Sequence, residues 1–191
     1  AAVVLVEVAN LVEQAAERIG ADPLLARVGA LYHDVGKIER PQFFIENQVP
    51  GSENPHDSLP PQESASIIIQ HVTDGLALAR KYRIPIRIRD FIGEHHGASI
   101  AQYQYSRAVR EAGGDESLVD REQYTYPGPN PCSRETALLM LADASEARMR
   151  ADRPKNEDEL SFLIQSVIGQ RLNSGALQDC DLTLNDIKQI I

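Results

Sequence analysis

Six residues with imidazole or carboxylate side chains recur along an otherwise apolar, helix-patterned sequence. They are His33, Asp34, His71, His95, His96 and Asp143. Each lies near hydrophobic residues, where an unpaired polar side chain would cost free energy. Mixed nitrogen and oxygen donors of this kind suit first-row metal ions such as manganese, iron or zinc. The set therefore predicts a metal-dependent hydrolase.

Two dyads in this set lie where a helix is expected to end. Adjacent residues on an α-helix point about 100° apart, so both members of a dyad reach one site only near a helix end, where the backbone opens. Gly36 follows His33 and Asp34 closely, and Gly97 follows His95 and His96 directly. These glycines place both dyads in the last turn of their helices.

The same residues also have structural explanations when each is taken alone. His71, at the edge of an apolar stripe, is by itself more typical of a hydrogen-bonded core histidine. Asp143 is by itself more typical of a cap or an ion pair, although a lone carboxylate in an apolar stripe would have a raised pKa unless a cation balanced it. Six such positions near element ends are hard to explain separately, and together they favour a metal site.

The size and composition of the chain fit one helical domain. With 191 residues, of which 42% are hydrophobic, the chain can bury one substantial core, and we expect a single domain over 1–191. The net charge of −9 argues against binding of a nucleic-acid polymer. Cys132 and Cys180 match no metal or redox spacing. No membrane span or signal peptide is visible, and the start at Ala1 without Met suggests a fragment of a longer protein.

Helical spacing of apolar residues predicts an all-α bundle with no strands. The segment 40–61 is rich in proline, including Pro50, and is predicted to be irregular, as is the rigid loop 124–131. Eight helices are predicted. The first ends at Gly20, and the next five cover Pro23 to Gly36, 62–82, Pro85 to Gly97, 100–111 and Ser133 to about Arg150. The last two begin at caps formed by Asn156 and Thr183.

Longer motifs resemble one known family. The segment His33–Lys37 looks like the H-D-x-G-K signature of the HD-domain phosphohydrolase superfamily. The match is closer to one branch, the cytosolic HD domain of the seven-transmembrane, PgpH-type cyclic di-AMP phosphodiesterases. The segments that carry it are Arg27–Ala30, Phe43–Gln48, Asn54–Asp57, Asp90–Gly97, Tyr126–Pro129, Glu135–Asp143 and Cys180–Leu184. The resemblance covers essentially the whole chain and implies the HD-domain fold.

This resemblance implies a centre of two divalent transition metal ions, manganese or iron, with Asp34 as the bridge. The implied ligands are His33, Asp34 and Asp143 for the first ion and Asp34, His71, His95 and His96 for the second. The implied reaction opens cyclic di-AMP to linear pApA, with Asp34 and Lys37 as catalytic residues. Two close cations can lower the pKa of a bridging water and clamp phosphoryl oxygens.

Three residues are candidates to contact the substrate. Lys37, directly after the dyad, is placed to neutralise phosphate charge, although an isolated lysine is more often solvated. His56, in the irregular segment, is a candidate to lie near the nucleotide, and the alternative is loop packing. Tyr126 is a candidate to stack on adenine, because every base has a π-face. A tyrosine before a proline turn is, however, as often a packing residue.

The sequence departs from the family pattern at one position. The family has a further histidine on the first helix, and our register puts Val4 there; no histidine precedes His33. The first ion would then keep only His33, Asp34 and Asp143. This implies a weaker first site, a deliberately replaced ligand, or a chain start that differs from the natural sequence, and the residues leave these alternatives open.

Three functions remain in view at this point. The leading expectation is a binuclear phosphodiesterase that hydrolyses cyclic di-AMP, on the cytoplasmic side of a bacterial membrane, with the membrane reached only through missing segments. The first rival is a catalytically impaired domain that binds the nucleotide as a sensor, which the departure at Val4 favours. The second is an HD phosphohydrolase for another nucleotide. The native metal, the choice between monomer and homodimer, and the preference for adenine or guanine dinucleotides stay open.

Overall fold

A computed structural model describes residues 2–49, 51 and 53–191 of the chain. Eight α-helices make up most of it. They are α1 (Ala2–Ile19), α2 (Pro23–Tyr32), α3 (Pro61–Lys81), α4 (Ile86–Glu94), α5 (Gln102–Glu111), α6 (Arg134–Asp152), α7 (Glu157–Asn173) and α8 (Leu184–Ile190). Within the described ranges, the only extended pairing is an isolated bridge between Ile100 and Thr125. The predicted all-α class is confirmed. None of the described helices is long and apolar enough to cross a membrane.

Capping residues fix where several helices begin. The side chain of Asp22 accepts a hydrogen bond from the backbone N–H of Leu25, and Pro23 occupies the first turn of α2. Ser133 and Thr183 form capping boxes at α6 and α8, and Asn156 caps α7. Each satisfies backbone N–H groups that the first helical turn leaves without partners. The predicted starts of these helices are therefore confirmed.

The prediction placed the ends of two helices too late. α2 ends at Tyr32, and a separate 3-10 helix, Val35–Glu39, begins after Asp34, whose φ of −99° and ψ of 14° leave the α-helical region. α4 ends at Glu94 rather than at Gly97. The dyads thus follow the last turns instead of lying within them, which gives their side chains more freedom to converge.

The core is built where α1, α2, α4 and α6 meet. α1 contributes Val8, Val12 and Ala16, spaced by one helical turn and fully or almost fully buried. Phe91 of α4, with an exposed fraction of 0%, packs into the same cluster. Burial of a side chain of this size stabilises the fold by roughly 1.5–3 kcal/mol. This packing holds the ends of α2 and α4 side by side.

The remaining helices pack on either side of this core. α3 and α5 form a second apolar cluster with Tyr124 and Tyr126 from the following loop. α7 and α8 pack against the other part of α6 around Ile168 and Ile187. As a result, α3 and α6 face one another across the ends of α2 and α4.

The described residues between 40 and 60 lack an α-helix or strand, as predicted, whereas Pro61, the last residue of the segment predicted to be irregular, is the first residue of α3. The local order of the segment comes from three short 3-10 helices, Pro41–Phe43, Ile45–Asn47 and Pro55–Ser58. Pro50, one of the prolines that we count as breaking this segment, lies outside the described residues. The segment covers one side of the junction between α2 and α3.

Candidate metal centre

The six predicted ligand residues come from four separate parts of the fold. His33 is the C-cap of α2 and Asp34 follows it; His95 is the C-cap of α4 and His96 follows it. The two remaining residues are His71, in the middle of α3, and Asp143, in α6. The structure brings all six together at one place in the bundle.

Backbone carbonyls orient three of the imidazole rings. Nδ1 of His33 lies 2.6 Å from the carbonyl oxygen of Ala30, and Nδ1 of His71 lies 2.5 Å from that of Ile68. Nδ1 of His95 lies 3.0 Å from the carbonyl oxygen of Ile92. A carbonyl can only accept, so each Nδ1 carries the proton, and Nε2 is the atom turned into the site. This arrangement is typical of metal-ligating histidines.

The carboxylate of Asp34 lies at the centre of these rings. Its Oδ2 is 3.2 Å from Nε2 of His33, and its Oδ1 is 3.4 Å from Nε2 of His71 and 3.7 Å from Nε2 of His95. Asp143 approaches from α6, with Oδ1 3.6 Å from Nε2 of His33. Asp34 therefore contacts residues of both predicted ligand sets.

Two groups of donors have the spacing of a metal site. His71, His95 and His96 form one group, and His33, Asp34 and His95 form the other; within each group the ligand atoms lie within 4.8 Å of one another. The first group contains all three histidines predicted for the second ion. His95 belongs to both groups, which the sequence did not indicate. We call the six residues together the metal centre.

Burial and neighbouring charges shift the pKa values of the centre in opposite directions. Burial disfavours the charged form of His33, but the carboxylates of Asp34 and Asp143 outweigh it and raise its pKa to about 10. Burial, with the charge of His33, lowers the pKa of His95 to about 3. Burial likewise lowers the pKa values of His71 and His96. Without metal, the centre thus holds one charged and three neutral imidazoles.

The two aspartates remain ionised despite their surroundings. Burial would raise the pKa of Asp34, but the charges of His33 and Lys37 dominate and hold it well below its usual range. Asp143 is half-buried, and contact with His33 lowers its pKa. The centre therefore supplies two carboxylates and several unprotonated nitrogens, which is the donor chemistry of manganese, iron or zinc.

Two buried polar atoms without hydrogen-bond partners also indicate that these residues fit a metal ion. Nε2 of His33 and Oδ1 of Asp34 are buried and have no hydrogen-bond partner. Buried polar groups in proteins are nearly always hydrogen-bonded, and an exception needs an explanation. Because both atoms face the other donors of the centre, a cation among them would satisfy Oδ1 of Asp34, and would satisfy Nε2 of His33 once that nitrogen has lost its proton. The residues present fit a divalent metal.

Further charged side chains lie around Asp34 on the side of the 3-10 helix Val35–Glu39. Nζ of Lys37 lies 2.6 Å from Oδ2 of Asp34 and 2.6 Å from Oε1 of Glu46. Oε2 of Glu46 is 3.7 Å from Nη1 of Arg150, which also pairs with Glu146. Burial opposes the charge of Lys37, but Asp34 and Glu46 raise its pKa further. The roles of Glu46 and Arg150 were not predicted, because only the folded chain brings α6 to this loop.

A close backbone approach holds the 3-10 helix of the dyad against α3. Gly36 packs on this helix so tightly that an added Cβ would lie 1.9 Å from the carbonyl oxygen of His71 and 2.5 Å from the backbone nitrogen of Gly75. Only glycine permits this approach. The contact brings Asp34 within reach of His71, so Gly36 has a positional role beyond the helix-terminating role that we predicted.

Two cavities open beside the metal centre. The first has a volume of 320 Å³ and is lined by His33, Asp34, Lys37 and Asp143 together with apolar residues that include Val4. The second has a volume of 540 Å³ and is lined by His96, Tyr126 and Asp143, among others. Asp143 lines both. Val4 therefore lines the same cavity as the residues predicted to hold the first ion.

The two other candidate substrate residues have different surroundings. The ring of Tyr126 packs on His96, with centroids 4.2 Å apart, and burial raises the pKa of its hydroxyl. His56 is buried, with Nε2 2.8 Å from the carbonyl oxygen of Phe43 and Nδ1 2.8 Å from Oγ of Ser64. Both nitrogens of His56 are thus engaged, one by the loop and one by α3, which favours the packing role that we gave as the alternative.

Comparisons with known proteins agree with this geometry. Residues 5–148 match the family model described as HD domain. The chain is 44% identical over 185 residues to the cyclic-di-AMP phosphodiesterase PgpH of Bacillus subtilis (strain 168), covering 97% of this chain and 25% of that protein. It is 39% identical over 183 residues to PgpH of Listeria monocytogenes serotype 1/2a (strain 10403S), covering 96% and 25%. The chain thus spans a quarter of the length of these relatives.

The fold is also similar to a solved structure. The L. monocytogenes PgpH HD domain in complex with cyclic-di-AMP matches with a TM-score of 0.90 and 36% sequence identity, covering 98% of this chain and 84% of that one. The resemblance to PgpH-type HD domains that the motifs predicted is confirmed. With three quarters of its length matched by the family model and its helices arranged as in a solved member, the chain belongs to the HD-domain family.

Proposed function

We propose that this chain is a metal-dependent phosphodiesterase that hydrolyses cyclic di-AMP to linear pApA. The observation that carries the proposal is the convergence of three Nε2 atoms on the carboxylate of Asp34 at 3.2–3.7 Å. The names of the relatives, which are cyclic-di-AMP phosphodiesterases, support the substrate. We further propose that 1–191 is one HD domain of a longer, membrane-anchored protein and works on the cytoplasmic side.

The proposed ligands divide into two sets that share Asp34. His33 and Asp143 would hold one divalent ion, and His71, His95 and His96 would hold the other. When bound, two such ions would activate a water and neutralise the charge of the phosphoryl oxygens. The donors suit manganese and iron, which are the metals that we propose.

The protein's own residues prepare the centre for an anionic substrate. The backbone carbonyls of Ala30, Ile68 and Ile92 keep the proton of each ring on Nδ1, so the Nε2 atoms stay directed at Asp34. His33 must release its extra proton before its Nε2 can act as a ligand. These contacts organise the site before substrate arrives, and preorganisation of this kind is a large part of catalytic rate enhancement.

Lys37 has a second proposed role in substrate binding. In the metal-free protein its ammonium group neutralises Asp34, and Glu46 holds it from the other side. If Asp34 binds a metal ion, Glu46 would still hold Lys37 beside the first cavity. Its charge is then available to a phosphate oxygen of the substrate. Tyr126 stays a candidate substrate contact in the second cavity, whereas the engaged nitrogens of His56 favour packing.

The experiment that tests the proposal is chromatography of cyclic di-AMP incubated with the protein and manganese, beside a chelated control. We expect pApA to form only when metal is present. Lys37→Met should keep the metal but lower turnover by about a hundredfold, because one electrostatic contact to the reacting phosphate is lost. Lys155→Met, on the exposed surface away from the centre, is the matched control. Intact cyclic di-AMP after prolonged incubation with metal-loaded protein would contradict the proposal.

A second candidate function has a specific observation in its favour. Val4 offers no ligand atom to the cavity beside His33, Asp34 and Asp143. A domain with a weak first site would bind cyclic di-AMP at the His71, His95 and His96 group and release it unchanged, as a sensor does. Retention of intact nucleotide on the metal-loaded protein in a filter assay would support this function over hydrolysis.

A further inference from the structure

The second cavity contains a cation that the metal centre does not use. Arg171, near the C-terminus of α7, lines this 540 Å³ cavity together with His96, Tyr126 and Asp143. Its backbone is fixed, because its carbonyl oxygen accepts hydrogen bonds from Oγ of Ser174 at 3.0 Å and from the N–H of Ala176 at 3.2 Å. The charge of the guanidinium group acts on Asp143 and Tyr126, so the group lies on the side of the cavity that adjoins the centre.

Arg171 differs from the other arginines around this cavity. Arg148 is paired with Asp152 at 2.6 Å, and Arg121 is exposed to solvent. The side chain of Arg171 is only partly accessible, and over the described part of the chain it makes neither an ion pair nor a hydrogen bond. Burial lowers its pKa, although the nearby charge of Asp143 opposes that shift. A partly desolvated cation without a partner is suited to an anionic ligand.

We propose that Arg171 binds the second phosphate of the cyclic dinucleotide, the one that is not cleaved. This inference rests on the proposed function. A cyclic dinucleotide has two phosphodiesters on opposite sides of its macrocycle, so when one lies at the metal centre the other must lie in an adjoining cavity. The second cavity adjoins the centre through His96 and Asp143 and offers a planar guanidinium, which binds phosphate oxygens in pairs.

The proposal explains how a chain with a net charge of −9 accommodates a dianionic substrate. Metal and Lys37 would balance the phosphate that reacts, and Arg171 would balance the phosphate that does not. Arg171 is then a specificity residue. It would favour a cyclic dinucleotide over a phosphodiester that has a single phosphate.

Two substrates separate this role from a general one. Arg171→Gln should lower kcat/KM for cyclic di-AMP by about tenfold to hundredfold, the usual effect of losing a charge-assisted hydrogen bond. The same variant should hydrolyse bis(p-nitrophenyl) phosphate, which lacks a second phosphate, at the wild-type rate. For cyclic di-AMP, kcat/KM of Arg171→Lys should lie between the values of the wild type and of Arg171→Gln. Arg110→Gln, an exposed residue of α5, makes the same change of charge and should have no effect on either substrate.

Manganese content and melting temperature of each variant verify that centre and fold are intact. Equal losses on both substrates would overturn the proposal, because Arg171 would then act through Asp143. Unchanged kcat/KM for cyclic di-AMP would also overturn it. If the wild-type protein cleaves only bis(p-nitrophenyl) phosphate, the proposed function fails. In that case, calorimetry of cyclic di-AMP binding to the wild type and to Arg171→Gln still tests whether Arg171 binds the second phosphate. Equal affinities would overturn this role, and a lower affinity of the variant would support it.

Discussion

The Nε2 atoms of His71 and His95 lie 3.3 Å apart, and both face Oδ1 of Asp34. Each ring donates its Nδ1 proton to a backbone carbonyl, and both pKa values are lowered, so both Nε2 atoms carry lone pairs. Two lone pairs and a carboxylate oxygen repel one another unless a cation lies among them. The fold maintains this arrangement through α3 and α4, and a metal ion bound among these atoms would remove the repulsion.

Asp34→Asn should remove most of the metal from the purified protein. The amide supplies only one weak oxygen donor and no charge, so the two proposed ligand sets lose the carboxylate that they share. We expect cyclic di-AMP hydrolysis to fall by at least about a hundredfold. Metal analysis and product chromatography measure both effects. Asp179→Asn, which removes an exposed carboxylate, is the matched control, and wild-type metal content in Asp34→Asn would refute the central role of Asp34.

Metal affinity should increase with pH above neutrality. The pKa of His33 is about 10 in the metal-free protein, so its imidazole is charged at pH 7 and must lose one proton to become a ligand. Affinity at the first site should therefore rise about tenfold per pH unit up to that pKa. Manganese titrations between pH 7 and pH 9, repeated in buffers with different ionisation enthalpies, count the released proton. An affinity that does not change over this range would show that His33 is not a ligand.

The contribution of the metal centre to the stability of the metal-free protein should be largest close to pH 6.5. The raised pKa of His33 gives a contribution that is complete below the ordinary value of 6.5 and is lost as pH rises toward about 10. The lowered pKa of His95 has the opposite sign: below pH 6.5 the unfolded chain binds a proton that the folded protein takes up only near pH 3. Stability should therefore fall on both sides.

Melting temperatures in the presence of a chelator test this pH dependence. His33→Asn should flatten the alkaline decline and leave the acidic one, which His71 and His96 share with His95. A wild-type melting temperature that rises steadily from pH 6.5 to pH 9 would contradict the predicted charge of His33.

Gly36→Ala should separate the dyad from α3. Its Cβ would meet the carbonyl oxygen of His71, so the 3-10 helix must move, at a cost of about 1–3 kcal/mol in the free energy of unfolding. Metal affinity should fall as Asp34 moves with it. Gly169→Ala in α7, where an added Cβ has no neighbour within 4 Å, should instead stabilise by about 0.5–1 kcal/mol. Denaturant unfolding compares the two, and equal effects would argue against the close contact.

Val4→His should strengthen the first metal site. The side chain lines the cavity beside His33, Asp34 and Asp143, so an imidazole there adds a fourth donor residue. We expect manganese to bind at least about tenfold more tightly, and turnover to rise if the first site limits it. Val6→His, on the exposed side of α1, controls for an added histidine. Identical manganese affinity in the two variants would show that position 4 does not face the ion.

Much of the fold could be predicted from residues that punctuate helices. Asp22 with Pro23, Ser133, Asn156 and Thr183 fix helix starts through local hydrogen bonds, which depend on neighbouring residues alone. The ends of α2 and α4 were less predictable. There the backbone leaves the helix before the glycine, since tertiary contacts such as that of Gly36 with α3 decide where each dyad turns.

The part of the candidate site that could be predicted consists of residues that belong to sequence motifs. The six residues of the metal centre all converge as expected, because the pattern of the HD family records their positions. Glu46, Arg150 and Arg171 were not predicted as members of the site. Charged residues on amphipathic helices are usually solvated, and only the packing of α6 and α7 shows which of them turn inward.

The largely apolar cavity beside Val4 also has a consequence for inhibitor chemistry. An inhibitor whose chelating group binds at His33, Asp34 and Asp143 could place a hydrocarbon substituent in the 320 Å³ cavity, which Leu31 and Ile38 help to line. Relatives that follow the family pattern would present an imidazole where this chain has a branched aliphatic side chain. An apolar substituent directed at Val4 would thus discriminate between this chain and relatives that have the imidazole, a selectivity that chelation alone cannot provide.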